Sequence, residues 1–468
     1  MKLPADFEKR TAELLGESDF RQLKDALQEE APVSIRVNGA KWRNYPPDDK
    51  LLREDERVPW CKEGKYLNFR PAFTFDPLFH AGCYYVQEAS SMFLAHVLKT
   101  FVKEPVRMLD LCAAPGGKST LARSVLSEGS LLVANEVMRS RSQVLAENLV
   151  KWGHPDMLVS NNDPNDFSAL PAFFDVILTD VPCSGEGMFR KDETAIVDWS
   201  VDNVNICRQR QRRILSDVWP ALKDGGLLIY STCTFNREEN EENIAWIVDE
   251  LGAGVLDVPT ENGWNITGNL AWEDFPVYRF LPYKTKGEGL FMAVLRKKGS
   301  DGRSVLKRKQ KNNKNKKGNV PVVPMTVKAW LNDSDMFNFT SDGSVISAVR
   351  KQFSDDVVQL QQALYVLQTG ITLGTIKGKD IIPSQSLAMS TELNINAFPV
   401  AEVDYDQAVA YLRSETVALS DDVSRGYVLL TYKDIPLGFV KNIGNRANNL
   451  YPNEWRIRST YIRKAEVI

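Results

Sequence analysis

The chain has 468 residues, of which 43% are hydrophobic and 25% charged, and its formal net charge is −3. This composition is typical of a globular protein with two to four domains. The sequence contains neither a run of about 18 apolar residues nor the apolar core of a signal peptide, so we expect a cytoplasmic protein that does not bind membranes. Six cysteines without a CxxC pair and three histidines argue against a disulfide framework and a metal site. A monomer is the default expectation.

The first 298 residues divide into two segments with different predicted secondary structure. Residues 1–95 begin with a charged helical pattern and continue into a predicted strand at Val33–Val37, which we interpret as an N-terminal α/β accessory domain. Residues 96–298 alternate short apolar runs with helical patterns, as in an α/β fold with a doubly wound, mostly parallel sheet. The predicted strands are Val106–Leu111, Leu131–Asn135, Met157–Ser160, Phe174–Thr179, Gly226–Ser231 and Leu290–Arg296, and the predicted helices are Ser119–Leu126, Ser140–Trp152 and Val204–Leu222.

A basic stretch marks the clearest boundary in the chain. Residues 296–317 read RKKGSDGRSVLKRKQKNNKNKK, and we predict a basic linker at 299–320. A solvated linker is the simpler interpretation, and a tether that binds nucleic-acid phosphates is the second; the two are compatible. Beyond it, residues 321–395 predict a mixed α/β accessory domain. Residues 396–468 predict a small β-rich module, because short strands alternate there with Gly, Pro and Asn turns.

The segment VRMLDLCAAPGGKST is a strand that runs into a small-residue loop and then a helix. Beyond the carboxyl end of a parallel strand, Gly116 and Gly117 let the backbone approach a ligand, and Pro115 stiffens the turn. GGKS is close to a P-loop, with Asp180 in the place of its magnesium-binding acid. However, the first glycine of that motif is replaced by Cys112, so a nucleotide hydrolase is the weaker interpretation.

Carboxylates follow the next two predicted strands. Glu136 ends the strand LLVANE, about twenty residues after the glycines, where a carboxylate can accept both hydroxyls of a ribose. Asp163 follows the third strand, where it can reach an adenine amino group. Either acid alone could be a solvated strand-end residue. Together, and without a diphosphate clamp, they predict a nucleoside cofactor such as S-adenosylmethionine.

Two cysteines follow the fourth and fifth strands, in TDVPCSGEGMFRKD and YSTCTFNREENEEN. Cys183 and Cys233 are thus expected beside the cofactor, although a buried structural cysteine is the alternative for either one alone. A thiolate that adds to carbon 6 of a pyrimidine makes carbon 5 nucleophilic towards a methyl sulfonium, and hydrogen bonding at N3 of cytosine suits Asp180. Formation of the thiolate requires nearby positive charge. The cationic candidates are Lys118, Arg190 and Lys191.

The motifs CAAPGGK, DVPCSGEG and YSTCT, preceded by YYVQEASSM, resemble the Nop/Sun family of RNA cytosine-5 methyltransferases. The resemblance covers residues 84–298 and implies a Rossmann-like, S-adenosylmethionine-dependent methyltransferase domain at 96–298. It implies that Cys233 attacks carbon 6 and that Cys183 assists release, roles that spacing alone does not assign because DNA enzymes with the same product use the Pro-Cys thiol. The cofactor contacts that it implies are Cys112, Ala113, Ala114, Pro115, Gly116, Gly117, Lys118, Glu136, Arg141, Asp163 and Asp180.

The segment PLGFVKNIGNRANNLYPNEWRIR resembles the PUA-like C-terminal domain of bacterial ribosomal RNA members of this family. This implies a PUA-like RNA-binding domain at 396–468, and 16S ribosomal RNA near the decoding site, or the small subunit, as the partner. An inactive RNA-binding assembly factor on the same fold is the alternative.

Several basic and aromatic side chains are candidates for binding that RNA. In the last module, Tyr451 and Trp455 could equally belong to the core, and the arginines of one predicted helix are expected to form mainly a solvated face. The module's candidates are Lys433, Lys441, Arg446, Tyr451, Trp455, Arg456, Arg458 and Arg463, and the helix contributes Arg208, Arg210, Arg212 and Arg213.

Overall fold

A nine-stranded sheet lies at the centre of the computed structural model, which describes residues 2–42, 57–271, 273–299 and 323–459. Three smaller sheets of four strands each surround it in this part of the chain. The predicted basic linker, apart from Gly299, and the predicted RNA contact Arg463 lie outside the described residues.

The N-terminal part combines three helices with an antiparallel sheet of order β2-β3-β1-β4. The strand predicted at Val33–Val37 is confirmed with the same bounds. The helices are α1 (Ala5–Leu15), α2 (Glu17–Ala26) and α3 (Pro77–His80), and the strands are β1 (Val33–Val37), β2 (Arg57–Val58), β3 (Cys61–Leu67) and β4 (Tyr84–Val86).

The central sheet has the order β10-β12-β9-β8-β5-β6-β7-β15, with β11 paired to β12. Its first strands and helices are α4 (Phe93–Phe101), β5 (Arg107–Asp110), α5 (Gly117–Val125), β6 (Leu131–Asn135), α6 (Arg139–Trp152), β7 (Met157–Ser160) and β8 (Phe174–Asp180). They are followed by α7 (Glu193–Asp198), α8 (Val201–Val218), β9 (Leu222–Thr232), α9 (Glu241–Glu250), β10 (Ala253–Leu256), β11 (Tyr278–Phe280) and β12 (Leu290–Lys297).

The predicted doubly wound, mostly parallel α/β sheet is confirmed. Strands β9, β8, β5, β6 and β7 run parallel, and every residue of β6 is buried, as expected for strands covered on both faces. The predicted helix 204–222 ends early, at Val218, because Pro220 in the following 3₁₀ turn lacks the N–H that a continuing helix needs. Leu222 instead begins β9.

The strand order positions the candidate site. The chain runs outward from β5 through β6 to β7 and then returns to β8 on the other side of β5. The carboxyl ends of β5 and β8 therefore flank the switch point, where ligands bind in open α/β sheets. Among the described residues, none of the helices has both the length and the apolar character that crossing a membrane requires.

The C-terminal part contributes two four-stranded sheets and one strand of the central sheet. Strand β15 pairs with β7 in antiparallel fashion, so the segment predicted as a separate accessory domain also extends the central sheet. The elements before and around it are α10 (Met325–Lys328), β13 (Phe337–Asp342), β14 (Val345–Arg350), α11 (Ser354–Ala363), β15 (Val366–Thr369), β16 (Ile371–Lys377), β17 (Asp380–Pro383) and α12 (Gln385–Met389). The last sheet, of order β18-β19-β20-β21, comprises β18 (Val400–Glu402), β19 (Gly426–Tyr432), β20 (Ile435–Asn442) and β21 (Ala447–Asn449), with α13 (Tyr405–Leu412).

The N-terminal and C-terminal parts share one hydrophobic core. Ile35 and Tyr84 of the first sheet belong to the same buried cluster as Val428 and Leu430 of the last sheet. Gly153, at the end of α6, has a φ of +86°, and a Cβ there would lie 2.1 Å from the Met389 carbonyl oxygen. The two ends of the chain therefore pack against each other and against the central domain.

A buried ion pair holds α9 against β11. The side chains of Arg279 and Glu241 are 1% and 0% exposed, and the Arg279 guanidinium also donates to the Phe235 carbonyl oxygen at 2.6 Å. The neighbouring Glu242 instead forms a half-exposed ion pair with Arg208 at 3.0 Å. Removing one partner of a fully buried pair leaves an uncompensated charge, whereas an exposed pair contributes little.

We therefore predict that Glu241→Ala lowers the free energy of unfolding by about 3–5 kcal/mol. The matched variant Glu242→Ala should lower it by about 1 kcal/mol or less. Urea denaturation followed by circular dichroism measures both. Equal losses for the two variants would contradict the assignment.

Candidate active site

The loop between β5 and α5 is tightly packed, which explains its small residues. Gly116 has a φ of +112°, and a Cβ there would lie 3.1 Å from the Leu149 side chain of α6. A Cβ on Gly117 would lie 3.1 Å from the ring of Tyr85. The Ala114–Pro115 peptide bond is cis. The loop backbone is therefore enclosed between α6 and the end of β4, and the first turn of α5 opens towards the switch point.

Side chains from α6 fix the carbonyl groups of this loop. The guanidinium of Arg141 donates to the Ala114 carbonyl oxygen at 2.8 Å and lies 3.5 Å from the Glu136 carboxylate. Asn148 donates to the Pro115 carbonyl oxygen at 2.7 Å. Arg141, a predicted cofactor contact, thus links the loop to the carboxylate that follows β6.

The two predicted ribose and adenine acids occupy successive strand ends, as expected, but their environments differ. Glu136 is 3% exposed, and its carboxylate accepts the Met138 N–H at 2.9 Å. Asp163 has a side chain that is 44% exposed; it caps the following 3₁₀ helix through Asn165 N–H at 3.1 Å and pairs with Arg213 at 2.9 Å. Glu136 is therefore the more enclosed of the two acceptors.

Asp110, at the end of β5, is a site residue that the sequence analysis missed. It is fully buried, and Ser119 donates to its Oδ2 at 2.6 Å, while Oδ1 has no hydrogen-bond partner among the described residues. Burial raises the pKa of the Asp110 carboxyl to about 7. The sequence feature that indicates Asp110 is the segment VRMLDL, in which a single acid interrupts an apolar strand directly before the glycine loop.

These groups fit a cationic nucleoside better than a nucleoside triphosphate. Acceptors line the crevice at Asp110, Glu136 and Asp180, and carboxylates repel phosphates but attract a sulfonium and an ammonium group. Lys118, which a P-loop uses to bind phosphate, donates to Asp180 at 2.8 Å. The residues present therefore fit S-adenosylmethionine.

The two predicted cysteines are in contact. Strands β8 and β9 pair in parallel with Asp180 opposite Ser231, so the loops that follow them leave the sheet side by side. The Sγ atoms of Cys183 and Cys233 lie 3.2 Å apart, and both side chains are half-buried free thiols. The geometry therefore brings together the two sulfur atoms that the sequence placed on separate loops.

Asp180 connects the cysteines to the glycine loop. Its Oδ1 accepts a hydrogen bond from Ser231 at 2.7 Å, and its Oδ2 accepts one from the Lys118 ammonium at 2.8 Å. Burial by itself lowers the pKa of Lys118, but the charge and hydrogen bond of Asp180, together with the nearby Cys233 and Asp110, raise it overall. Lys118 is therefore a permanent cation beside the cysteine pair.

The Cys183 thiol is stabilised in its protonated form. The hydrogen bond with Cys233, followed by burial, raises the pKa of the Cys183 thiol well above its usual value. A neutral Cys183 thiol can donate a hydrogen bond to the Cys233 sulfur, which lies 3.2 Å away. Burial likewise raises the pKa of Cys112 well above its usual value, so that thiol stays neutral in the loop.

The other predicted cations have different partners. Arg190 and Lys191 both form ion pairs with Glu288, at 2.9 and 3.3 Å, and Arg190 also donates to the Ala26 carbonyl oxygen at 3.2 Å. Of the three candidates for stabilising a thiolate, the structure therefore favours Lys118. Arg190 instead joins the cysteine loops to the N-terminal helices.

The predicted RNA-binding side chains fall into two groups. Tyr451 is 4% exposed and belongs to the shared core, and Lys441 pairs with Asp380 at 2.6 Å. Arg446, Arg456 and Arg458 are exposed. On α8, the expectation was a mainly solvated face; Arg210 and Arg213 are exposed, whereas Arg208 and Arg212 are half-buried. Three of these four arginines have acidic or amide partners within the protein. The partners are Glu242 for Arg208, Asn243 for Arg212, and Asp163 and Asp217 for Arg213.

Three family models match this chain. The model described as 16S rRNA methyltransferase RsmB/F matches residues 96–296. The model for the N-terminal domain of 16S rRNA methyltransferase RsmF matches residues 3–89, and that for the methyltransferase RsmF PUA domain matches residues 398–457. The second and third matches lie on the two parts that share the core described above.

Individual relatives agree with the family models. The ribosomal RNA small subunit methyltransferase F of Escherichia coli O1:K1 / APEC is 31% identical over 431 residues, which cover 85% of this chain and 84% of the relative. The protein of the same name from Enterobacter sp. (strain 638) is 29% identical over 427 residues, covering 85% and 83%. The crystal structure of a methyltransferase homologue from Pyrococcus horikoshii is 28% identical with a TM-score of 0.51, and the match covers 62% of this chain and 93% of that one.

The resemblance inferred from the three motifs is confirmed by these matches, as is the Rossmann-like methyltransferase fold with a C-terminal PUA domain. S-adenosylmethionine as the methyl donor is confirmed with it. The chain belongs to the RsmB/F family of 16S rRNA methyltransferases, enzymes that methylate carbon 5 of cytosine.

Proposed function

We propose that this enzyme methylates carbon 5 of a cytosine in 16S ribosomal RNA near the decoding site, with Cys233 as the nucleophile and Cys183 as the residue that assists release. The observation that carries this proposal is the 3.2 Å contact between the two sulfur atoms, beside the Asp180–Lys118 ion pair.

The cofactor pocket is assigned to the glycine loop and to the acids around it. When bound, S-adenosylmethionine supplies a methyl group on a cationic sulfur. Glu136 is proposed to accept the ribose hydroxyls and Asp163 the adenine amino group, while Asp110 and the loop from Cys112 to Lys118 enclose the rest. Arg141 is proposed to fix this loop, since it donates to the Ala114 carbonyl oxygen.

Cys233 starts the reaction by adding its sulfur to carbon 6 of the extruded cytosine. A thiolate is the reactive form. Two contacts of the site can stabilise charge on this sulfur, since the Lys118 ammonium interacts electrostatically with Cys233 and the Cys183 thiol lies within hydrogen-bond distance of it at 3.2 Å. The new bond turns carbon 5 into an enamine-like nucleophile.

Asp180 and Lys118 are proposed to hold the cytosine ring during this addition. Negative charge develops on N3 and O2 as carbon 6 is attacked, and a preorganised ion pair stabilises charge at the point where it forms. The N3 contact expected of Asp180 is proposed instead for Lys118, which can donate a hydrogen bond to the ring, because both Asp180 oxygens accept hydrogen bonds. Asp180 can accept a further one from the exocyclic amine. Ser231 keeps the carboxylate in place through its 2.7 Å hydrogen bond.

Cys183 acts at the end of the reaction. After methylation a base, for which solvent water suffices, takes the proton from carbon 5, and the electrons of that carbon–hydrogen bond expel the Cys233 sulfur from carbon 6 as a thiolate. The Cys183 thiol lies next to that sulfur and can stabilise it as it departs. The role of Cys183 is therefore to free the product from the protein.

We propose four domains, with limits at 1–95, 96–298, 321–395 and 396–468. The first and the last of them are proposed to bind the RNA. The exposed Arg446, Arg456 and Arg458 supply positive charge on the PUA domain for phosphate contacts. The substrate is inferred from the name of the relatives, ribosomal RNA small subunit methyltransferase F. Because all site residues come from one chain, we propose that the enzyme is a monomer. Because the proposed substrate is ribosomal RNA, we propose that it is cytoplasmic.

An inactive assembly factor on the same fold is the alternative function. It would not require two thiols in contact, nor an ion pair placed beside them. Incubation with S-adenosylmethionine carrying a labelled methyl group separates the two. We predict incorporation into unmodified 16S RNA or small subunits, and bisulfite mapping should place the label at cytosine. No incorporation into either substrate at any salt or magnesium concentration would favour the assembly factor.

The two cysteines should have distinct phenotypes. Cys233→Ala should lower methylation on the order of 10³-fold or more, because the nucleophile is lost. Cys183→Ala should permit addition but slow release, so a protein–RNA adduct should accumulate on denaturing gels. S-adenosylmethionine binding serves as the control and should persist in both variants. An adduct in the Cys233→Ala protein would reverse the proposed roles.

Glu136 should contribute to cofactor binding and not to RNA binding. Glu136→Gln is expected to weaken S-adenosylmethionine binding about tenfold, since a hydrogen bond to a charged group contributes about 1.5–3 kcal/mol. Isothermal titration calorimetry measures the change. Glu147→Gln, on helix α6 that follows Glu136, is the matched control and should bind normally, since Glu147 is paired with Lys151. Equal affinities of the two variants would remove Glu136 from the pocket.

A further inference from the structure

Each cysteine loop carries a buried glutamate that the mechanism above does not use. Glu186 follows Cys183 in PCSGEG, and Glu239 follows Cys233 in TCTFNREEN. The two residues are 1% and 0% exposed. Buried carboxylates are costly unless hydrogen bonds satisfy them, so the partners of these two groups indicate what they stabilise.

Glu239, from the Cys233 loop, binds the Cys183 loop. Its two carboxylate oxygens accept the Ser184 N–H at 3.0 and 3.3 Å, and this is the amide directly after Cys183. Gln211 of α8 and Asn236 donate to the same carboxylate at 2.7 and 2.9 Å. The backbone that carries Cys183 is thus fixed by an acid of the opposite loop.

Glu186, from the Cys183 loop, binds the Cys233 loop in the same manner. Its Oε2 accepts the N–H groups of Phe235 and Asn236 at 2.7 and 2.9 Å. Its Oε1 accepts the Trp199 indole N–H at 2.9 Å. The turn that follows Cys233 is therefore fixed by an acid of the Cys183 loop.

Two further contacts join the same loops. The hydroxyl oxygens of Ser184 and Thr234 lie 2.9 Å apart, and the Gly187 N–H donates to the Cys233 carbonyl oxygen at 2.8 Å. A Cβ on Gly187 would lie 2.8 Å from that oxygen, so only glycine permits this approach. The loops therefore form one hydrogen-bonded unit, in which each glutamate accepts backbone N–H groups of the opposite loop.

We propose that Glu186 and Glu239 are positioning residues with crossed roles. Glu186, in the Cys183 loop, sets the sulfur of Cys233 for addition to carbon 6. Glu239, in the Cys233 loop, sets the thiol of Cys183 for release of the product. This inference rests on the cysteine roles proposed above, and it goes beyond them by assigning each step to an acid on the opposite loop.

The crossing follows from the direction of the hydrogen bonds. A glutamine at either position offers one acceptor oxygen and turns an amide nitrogen towards other donors, which leaves N–H groups of the opposite loop unpaired. That loop then moves its own cysteine. Because a displacement of about 1 Å can cost on the order of 100-fold in rate, each substitution should act mainly on the step of the opposite cysteine.

Single-turnover methylation with labelled methyl donor tests the proposal, with the covalent protein–RNA adduct followed over time on denaturing gels. Glu186→Gln should slow formation of the adduct at least about tenfold and change its decay little. Glu239→Gln should leave formation nearly unchanged and slow decay at least about tenfold, so the adduct should accumulate. Glu242→Gln, at a half-exposed acid of the same segment that pairs with Arg208, is the matched control and should alter neither step.

Thermal unfolding and S-adenosylmethionine binding are measured on every variant, since a general loss of structure would slow both steps together. If a glutamine variant does not fold, Glu186→Asp and Glu239→Asp are the substitutes. They keep a carboxyl group but move it away from the amides of the opposite loop, so each should slow the same step as the glutamine variant, by a smaller factor. Equal slowing of both steps by either folded variant, or an uncrossed pattern, overturns the proposal. Adduct accumulation in Cys183→Ala without accumulation in Glu239→Gln overturns it while leaving the cysteine roles intact.

Discussion

The contact between the Cys183 and Cys233 sulfur atoms is the constraint on which the site depends. It exists because β8 and β9 are neighbouring parallel strands, so that the loops after Asp180 and Thr232 leave the same edge of the sheet. Sheet pairing alone sets loops several ångströms apart. The buried polar contacts between the loops bring them closer together, so that the two sulfur atoms lie 3.2 Å apart.

The charges around this contact have complementary tasks. Carboxylates lie on the side of the proposed cofactor pocket, where they would stabilise a cationic methyl donor, and the Lys118 ammonium lies on the cysteine side. Asp180 lies between the glycine loop and the cysteine pair and accepts hydrogen bonds from Lys118 and Ser231. Charge separation over a few ångströms thus allows one pocket to hold a sulfonium and to favour a thiolate.

The sequence predicted the central sheet well because its signals are local. Apolar runs and the small-residue loop identify β5 to β9, and residues that follow parallel strands must share one edge, which placed Glu136, Asp163, Asp180 and both cysteines correctly. Long-range partners were not predictable in this way. The pairing of β15 with β7, and of Arg190 with Glu288, joins segments far apart in the chain. Nor does composition distinguish a buried aromatic such as Tyr451 from an RNA contact, since both require the same side chain.

The identity of the sulfur that bonds to the substrate tests the account most directly. RNA that contains 5-fluorocytidine traps the intermediate, because fluorine on carbon 5 cannot leave as a cation after methyl transfer. Digestion of the trapped complex of the unaltered protein with protease and nuclease, followed by tandem mass spectrometry, locates the attached nucleotide. The account predicts a methylated fluorocytidine on the peptide that contains Cys233. Attachment to Cys183, or to neither cysteine, would contradict it.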